Sequence, residues 1–247
     1  MDRSRDPGRP ASSKANPFGD FLFSMFTGII QNIGEVRSLQ PFGDSLRLSI
    51  DTGQLATELK IGDSIAIDGV CLTVEKIDGA SAEFFASPET LQRTTLGDFS
   101  TKQKVNLELP LKAGQNFGGH FVQGHVDSIA TIAQIRDDGE GAWTFRFKYD
   151  PAIRDLLINK GSVAVDGISL TIAAINDSKF QVAIIPHTFN NTCLQFKKAG
   201  QRVNIETDMI ARQVNQYIQR YPSVLQPREM NHSNITEELL TKAGFME

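Results

Sequence analysis

Cys71 and Thr73 stand two residues apart, and so do Ser169 and Thr171, each pair ending a Gly-x-x-Leu-Thr run. Residues i and i+2 of a strand share a face. A thiol and a hydroxyl therefore point together in one run and two hydroxyls in the other, while Leu72 and Leu170 point the opposite way, into a core. His125 follows Gly124 in G-H-V, where Ile29 follows Gly28 in G-I-I. An imidazole titrates near neutrality and can move a proton. A hydroxyl both donates and accepts, whereas a thiol does either weakly but can become a thiolate. Taken singly these residues are ordinary: a strand Ser or Thr is a good β-former, and a lone Cys such as Cys193 reads as a small core residue. What raises them is that Ser, Thr and His fall in equivalent positions of a duplicated segment, and that the copies differ there in polar chemistry. Other chemistries lack their patterns. His120 and His125 are five apart and read as opposite faces of a strand, and neither cysteine has a ligand-spaced partner, so no metal site is expected. No dinucleotide-binding glycine fingerprint, phosphate loop or nucleophile elbow occurs.

The elements that carry these residues come twice. G-D-S-I-A-I-D-G-V-C-L-T-V-E-K-I (62–77) is matched by G-S-V-A-V-D-G-I-S-L-T-I-A-A-I (161–175), and from Ser64/Ser162 to Ile77/Ile175 the copies align at an offset of 98. Q-K-V-N-L-E (103–108) falls on Q-R-V-N-I-E (201–206) at the same offset. Upstream the register slips by two, so that Phe26, Gly28 and Ile30 fall on Val122, Gly124 and Val126. A repeat this long is a whole small domain rather than a solenoid unit. Within it, S-L-R-L-S-I, S-I-A-I-D, K-V-N-L-E-L and W-T-F-R-F-K alternate apolar and polar with period two, and Asp-Gly pairs at 68–69, 78–79 and 166–167 mark tight turns. The pattern predicts an all-β protein, one closed or nearly closed antiparallel barrel per repeat. Short helices are expected over 53–59 and 151–158, the second with Asp150 as N-cap and Pro151 at its first position.

The bulk numbers bound the rest. At 247 residues with 40% hydrophobic and 22% charged, the chain is long enough for two cores. A net charge of −4 gives no reason to expect nucleic acid, and no apolar run reaches the roughly 20 residues of a membrane helix. Two cysteines at non-equivalent positions fit a reducing compartment, the cytoplasm. Residues 1–24 read as an unstructured arm, with Met25 as the working start. Ile210, Val214, Tyr217, Ile218 and Tyr221 form one stripe of a helix outside both repeats, a stripe that must bury against something else, such as another subunit. Residues 222–233 read as a polar linker and T-E-E-L-L-T-K-A-G-F as a short terminal helix with Gly244 at its C-cap.

M-F-T-G-I-I (25–30), G-D-S-I-A-I-D-G-V-C-L-T-V (62–74), F-G-G-H-F-V-Q-G-H-V-D (117–127), D-G-I-S-L-T-I (166–172) and V-N-I-E-T-D (203–208) resemble riboflavin synthase of the alpha-chain type. The resemblance covers about residues 25–221, and five motifs in one order make it specific. It implies two tandem six-stranded Greek-key barrels, at 25–118 and 119–208, and a helix at 209–221 that joins three subunits, with 222–247 left as linker and terminal helix. It implies a transferase of riboflavin biosynthesis that needs no cofactor or metal. Two molecules of 6,7-dimethyl-8-ribityllumazine would give riboflavin and 5-amino-6-ribitylaminouracil by transfer of a four-carbon unit. Lumazine synthase is a candidate partner.

By the same resemblance, Ser64, Cys71, Thr73, His125, Ser169, Thr171 and Asp208 would be catalytic. Ligand contacts in the first barrel would be Gly28, Ile29, Ile30, Leu72, Phe85, Ala86, Ser87, Pro88, Glu89 and Thr90, with Phe26 near the start. In the second they would be Gly124, Val126, Lys160, Leu170, Ala183, Ile184, Ile185, Pro186, His187 and Thr188. Departures are the 24-residue leader, the tail, and Asp68 where the family often has Asn. A non-catalytic lumazine- or flavin-binding paralogue is the alternative, disfavoured by intact S-L-T and G-H-V runs. A reductase flavin barrel lacks support, since no nucleotide-binding domain follows. The acidic 7-methyl of one lumazine must lose a proton while the other accepts a nucleophile at position 7, which general acid–base groups can serve. The expectation is that His125, Ser169, Thr171 and Asp208 attend one molecule and Ser64, Cys71 and Thr73 the other.

Overall fold

The structure, a computed structural model, describes residues 25–221 and 237–245. The expected N-terminal arm and most of the tail lie outside them. β1 (Asn32–Phe42), β2 (Ser45–Asp51), β3 (Ser64–Ile67), β4 (Val70–Asp78), β5 (Ser81–Ala86) and β6 (Lys104–Glu108) close a barrel in the order β1-β2-β5-β4-β3-β6. β7 (Ser128–Gly139), β8 (Ala142–Lys148), β9 (Ser162–Val165), β10 (Ile168–Ile175), β11 (Lys179–Ile184) and β12 (Arg202–Thr207) close a second with the same cycle, and every pairing is antiparallel. Closure leaves no edge strand exposed. The period-two pattern decides which side chains fill each barrel: Leu48, Ile50, Ile65, Val74, Phe84 and Leu107 in the first, Ile132, Phe145, Phe147, Val163, Phe180 and Val203 in the second. Burying each such side chain contributes about 1.5–3 kcal/mol.

The turns are set locally. Asp68 and Gly69 take φ of +43° and +76°, and Asp166 and Gly167 +44° and +77°, the left-handed pair that joins β3 to β4 and β9 to β10. Short helices follow β5 and β11: α1 (Pro88–Arg93), capped by Ser87, and α2 (Pro186–Asn190). The short helices expected over 53–59 and 151–158 are single 3-10 turns at Gly53–Thr57 and Pro151–Leu156, and Asp150 caps the second by accepting from the Ala152 N–H. α3 (Met209–Arg220) is capped by Asp208. α4 (Glu237–Lys242) ends as its sequence predicts. Gly244, at φ +78°, donates to the Thr241 carbonyl and Phe245 to that of Leu240, which together close a Schellman cap.

The barrels meet about a pseudo-twofold axis. The two Asp-Gly turns abut so closely that a Cβ on Gly69 would lie 2.6 Å from the Gly167 nitrogen. Around them Asn106 and Asn204 exchange bonds: Asn106 Nδ2 donates to the Asp166 carbonyl at 2.9 Å and Asn204 Nδ2 to the Asp68 carbonyl at 2.8 Å. The symmetry is broken at Lys197, whose Nζ lies 2.6 Å from Asp166 Oδ2. The equivalent residue near Asp68 is Phe99, and Asp68 Oδ2 is buried without a hydrogen-bond partner. Beyond this knot, Phe26 and Val122 pair as a two-residue antiparallel bridge packed on Ala66 and Ala164. That bridge lets the chain segment leading into each barrel cross onto the other.

Candidate functional site

Each half-site rests on a buried carboxylate. Glu108, at the end of β6, accepts from the Thr27 N–H (2.7 Å), the Thr27 hydroxyl (2.8 Å) and the Gly28 N–H (2.9 Å). Its equivalent, Glu206 on β12, accepts from the N–H groups of Gln123 (2.8 Å), Gly124 (2.9 Å) and His125 (3.1 Å). Each carboxylate thereby fixes a glycine turn, at φ +77° for Gly28 and +78° for Gly124. Burial pushes Glu206 up to about 7 against the pull of its N–H donors and of Arg212, and raises Glu108 in the same direction.

The turns are presented across the interface. Gly28 packs on Ser169: its carbonyl accepts from the Ser169 N–H at 2.8 Å, and a Cβ on it would lie 2.6 Å from that of Ser169. Gly124 packs on Cys71 in the same way, at 3.0 Å and 2.5 Å. Ile30 joins the core of the second barrel and Val126 that of the first. The expected assignment of Gly28–Ile30 to the first barrel and Gly124–Val126 to the second is therefore corrected: the segments are exchanged. His125 stands with Cys71 and not with Ser169, because the Phe26–Val122 bridge carries both segments over.

The imidazole beside Ser169 is His120. Its Nδ1 lies 2.7 Å from Ser169 Oγ, its ring is 7% exposed, and its Nε2 is buried without a partner. Burial lowers its pKa below the ordinary 6.5, and the Asp208 carboxylate pulls the other way. A neutral imidazole bonded to a hydroxyl, with an anion nearby for the imidazolium, is a proton-transfer pair. His120 was not among the expected site residues. The stretch around it reads as a strand with His120 and His125 on opposite faces, yet only Val122 there makes a bridge. Gly119 lies under the Thr27 carbonyl, where any Cβ would meet that oxygen at 1.9 Å, and this approach seats His120 on the Thr27 carbonyl through its N–H. Glu108 and Glu206 were missed too, hidden in alternating V-N-L-E and V-N-I-E runs that read as strand and nothing more.

The remaining expected residues lie on the strands, turns and short helices of the two barrels. Ser64 pairs in register with Thr73 on β3 and β4, and its side chain hydrogen-bonds the Cys71 thiol. Burial raises that thiol, which holds it as a protonated –SH and disfavours the thiolate it could become. Thr73 and Thr171 are exposed at equivalent points. Lys160, at φ +66°, occupies the place of Gly62 and bonds through its N–H to the Ile172 carbonyl, beside Thr171. Phe85 meets Phe42 edge-on, and Ser87 accepts from the Thr90 N–H at the start of α1, with Pro88 and Glu89 exposed. In the second barrel Ala183, Ile185, Pro186 and His187 are exposed and Thr188 half-buried, while Trp143 stacks on Phe189 beneath α2. Leu72, Leu170, Ala86 and Ile184 point into the cores, so their side chains are closed to a ligand. Phe26 is fully buried between the barrels; its expected contact role is corrected to one of holding the interface. Ile29 is 48% exposed and Phe117 is 44%, an apolar margin against Gly118. Among the described residues no three His, Cys, Asp or Glu side chains gather as a metal cage.

Comparison with known proteins gives one consistent result. The lumazine binding domain family matches residues 27–110 and again 123–208. Riboflavin synthase of Actinobacillus pleuropneumoniae is 37% identical over 90% of this chain and 100% of its own length. That of Bacillus subtilis is 36% identical over 90% and 99%, and that of Photobacterium phosphoreum 40% over 90% and 100%. The crystal structure of LumP complexed with 6,7-dimethyl-8-(1'-D-ribityl) lumazine superposes with a TM-score of 0.68 at 23% identity, over 74% of this chain and 98% of that one, a likeness of fold.

Proposed function

This chain belongs to the riboflavin synthase family of lumazine-binding proteins, and from that premise we propose how it makes riboflavin. Two molecules of 6,7-dimethyl-8-ribityllumazine exchange a four-carbon unit, giving riboflavin and 5-amino-6-ribitylaminouracil. The atoms balance between the two substrates, and the electrons gained by one ring system are lost by the other.

The observation that carries this reading is the pair of equivalent half-sites with unequal chemistry. One holds a hydroxyl on a neutral imidazole, Ser169 Oγ at 2.7 Å from His120 Nδ1. The other holds a protonated thiol bonded to Ser64, beside the exposed His125. Two identical ligands that must act as carbanion and as electrophile need such a difference. The His120–Ser169 pair takes the 7-methyl proton of the lumazine bound at the second barrel. Asp208 favours the imidazolium so formed. Cys71, Ser64 and Thr73 donate to the lumazine at the first barrel, which accepts the nucleophile at position 7. Each half-site is open in a single chain, and a productive site sets one of each face to face. Held that way, the reactants gain an effective molarity that offsets roughly 7–11 kcal/mol of barrier.

The apolar outer face of α3 supports a homotrimer: Ile210, Val214, Tyr217 and Tyr221 are 44–56% exposed along one stripe. On this reading the protein is a transferase that works in the reducing cytoplasm its two free cysteines fit, with association to lumazine synthase as a further step to test. Incubating the protein with the lumazine alone should produce riboflavin absorbance with one riboflavin for every two lumazines consumed. Binding without turnover would leave a lumazine carrier instead.

A further inference from the structure

The two glycine turns are built alike, yet only one of them is tied to α3. Arg212, on the inner face of that helix, sends Nη1 to Asp127 Oδ1 at 2.9 Å and Nη2 to Gln123 Oε1 at 2.9 Å, with Glu206 Oε1 at 3.5 Å. Asp127 in turn accepts, through Oδ2, from the N–H and hydroxyl of Thr207, both at 2.7 Å. Glu206 holds the N–H groups of Gln123, Gly124 and His125. The guanidinium therefore closes a ring of half-buried bonds around the turn that seats Gly124 on Cys71. Two carboxylates and one amide converge on it, and the side chains of Arg212, Asp127 and Glu206 are 22%, 17% and 2% exposed.

The first repeat is an internal control. Glu108 holds the Gly28 turn with the same N–H geometry, but the place of Asp127 is taken by the neutral Gln31, whose Oε1 accepts from the Leu109 N–H at 3.0 Å. Among the described residues no cation pairs with Glu108, and by the offset of 98 the equivalent of Arg212 is Gly114. The outer face of the same helix carries the exposed Ile210, Val214 and Tyr217. One element thus presents an assembly surface on one side and the clamp of a half-site on the other.

We propose that Arg212 is a positioning residue that fixes the Gly124–His125 turn on Cys71 through Glu206 and Asp127, so that the seating of α3 sets the geometry of the first half-site. It touches no substrate. Charge-assisted bonds of this kind are the strong ones, and their loss leaves the buried Glu206 and the half-buried Asp127 with no cation. The consequence for the reaction rests on the synthase reading above, but the consequence for the turn does not.

The test is amide hydrogen exchange on the full-length protein, with turnover measured beside it. In Arg212→Met the amides of Gln123, Gly124 and His125 should exchange about tenfold faster or more. Those of Thr27 and Gly28, held by Glu108, should keep their wild-type rates. Turnover number should fall about tenfold with KM little changed, and Arg212→Lys should recover part of both effects. If Arg212→Met does not fold, Gln123→Ala removes one arm of the clamp and should speed the same amides by a smaller factor. Unchanged exchange at 123–125, equal acceleration at 27–28, or a lysine variant no better than methionine would overturn the proposal. A wild-type protein that binds but does not convert lumazine would overturn the synthase reading while leaving the exchange result intact.

Discussion

His120 shows what a single side chain contributes and why it was hidden. Its partner Ser169 stood out because it recurs against Cys71 in a duplicated run, whereas His120 has no repeat counterpart in a motif. Spacing alone placed it opposite His125 on a strand that does not form. The chemistry at this scale is testable. His120→Gln should keep a hydrogen bond to Ser169 but remove the titrating group, and turnover should fall by about 10²-fold or more with lumazine still bound. Because burial holds the His120 pKa below 6.5, the acid limb of kcat/KM in the wild-type protein should lie below 6.5 and vanish in the variant. The same depression has a stability consequence. Below pH 6.5 the unfolded chain binds a proton that the folded one refuses, so this residue destabilises the fold as pH falls. His125→Gln, at an exposed position on the other half-site, should leave that limb in place.

At the scale of elements, the strands, their Asp-Gly turns and the α3 stripe were legible, because each is written in local periodicity and turn chemistry. Which barrel a segment serves was not. Gly28 and Cys71 belong to one repeat, and nothing in their spacing says that Gly28 packs on Ser169 instead. The exchange makes a crossed prediction. Gly28→Ala forces a Cβ onto Ser169 at a left-handed φ, and it should impair the second half-site though it lies in the first repeat. Gly124→Ala should do the converse at Cys71. Titration with lumazine should then find one weakened class of site in each variant, and loss of both classes together would contradict the exchange. For α3, Val214→Asp with Tyr217→Asp puts charge on the outer stripe and leaves Arg212 untouched. Light scattering should show subunits of monomer mass, with turnover lost in proportion.

On the scale of the whole molecule, the docked Asp-Gly turns bring together Asp68, Asp166, Lys197 and Cys193 with one cation among them and Lys104 more distant. Burial first, and then the Asp166 charge, push Asp68 up to about 7 from 3.8. The sign is that of a raised carboxylate. The folded form keeps a proton that the unfolded chain releases, so stability falls as pH rises from about 4 to about 7 and is level above that. Asp68→Asn keeps an acceptor for the Asn106 N–H and removes the charge. Its melting temperature should exceed that of the wild type by roughly 5 °C or more at pH 8, and the difference should shrink toward nothing at pH 4. A constant gap across that range would show that the carboxyl is already ionised inside the interface. Asp68 stands out in the sequence as a departure from its family, but only the structure shows that the Asp166 turn has Lys197 bonded to it where the Asp68 turn has Phe99 at the equivalent position.

The crossing of the two entry segments also imposes a timetable. Gly28 is made early, but the serine on which it rests lies 141 positions further along the chain. At about 5–20 residues per second, a ribosome needs on the order of ten seconds or more to supply that serine. Throughout that interval the first barrel can close its sheet from β1 to β6, yet Phe26, Gly28 and Ile30 have nowhere to bury. The second entry segment finds its seat on Cys71 already made when Gly124 emerges, but its turn waits for Glu206 and Arg212, which come later still. The nascent protein therefore completes its two halves in unequal order: the half-site around Ser169 has all its parts once β10 is made, while the one around Cys71 still waits for β12 and α3.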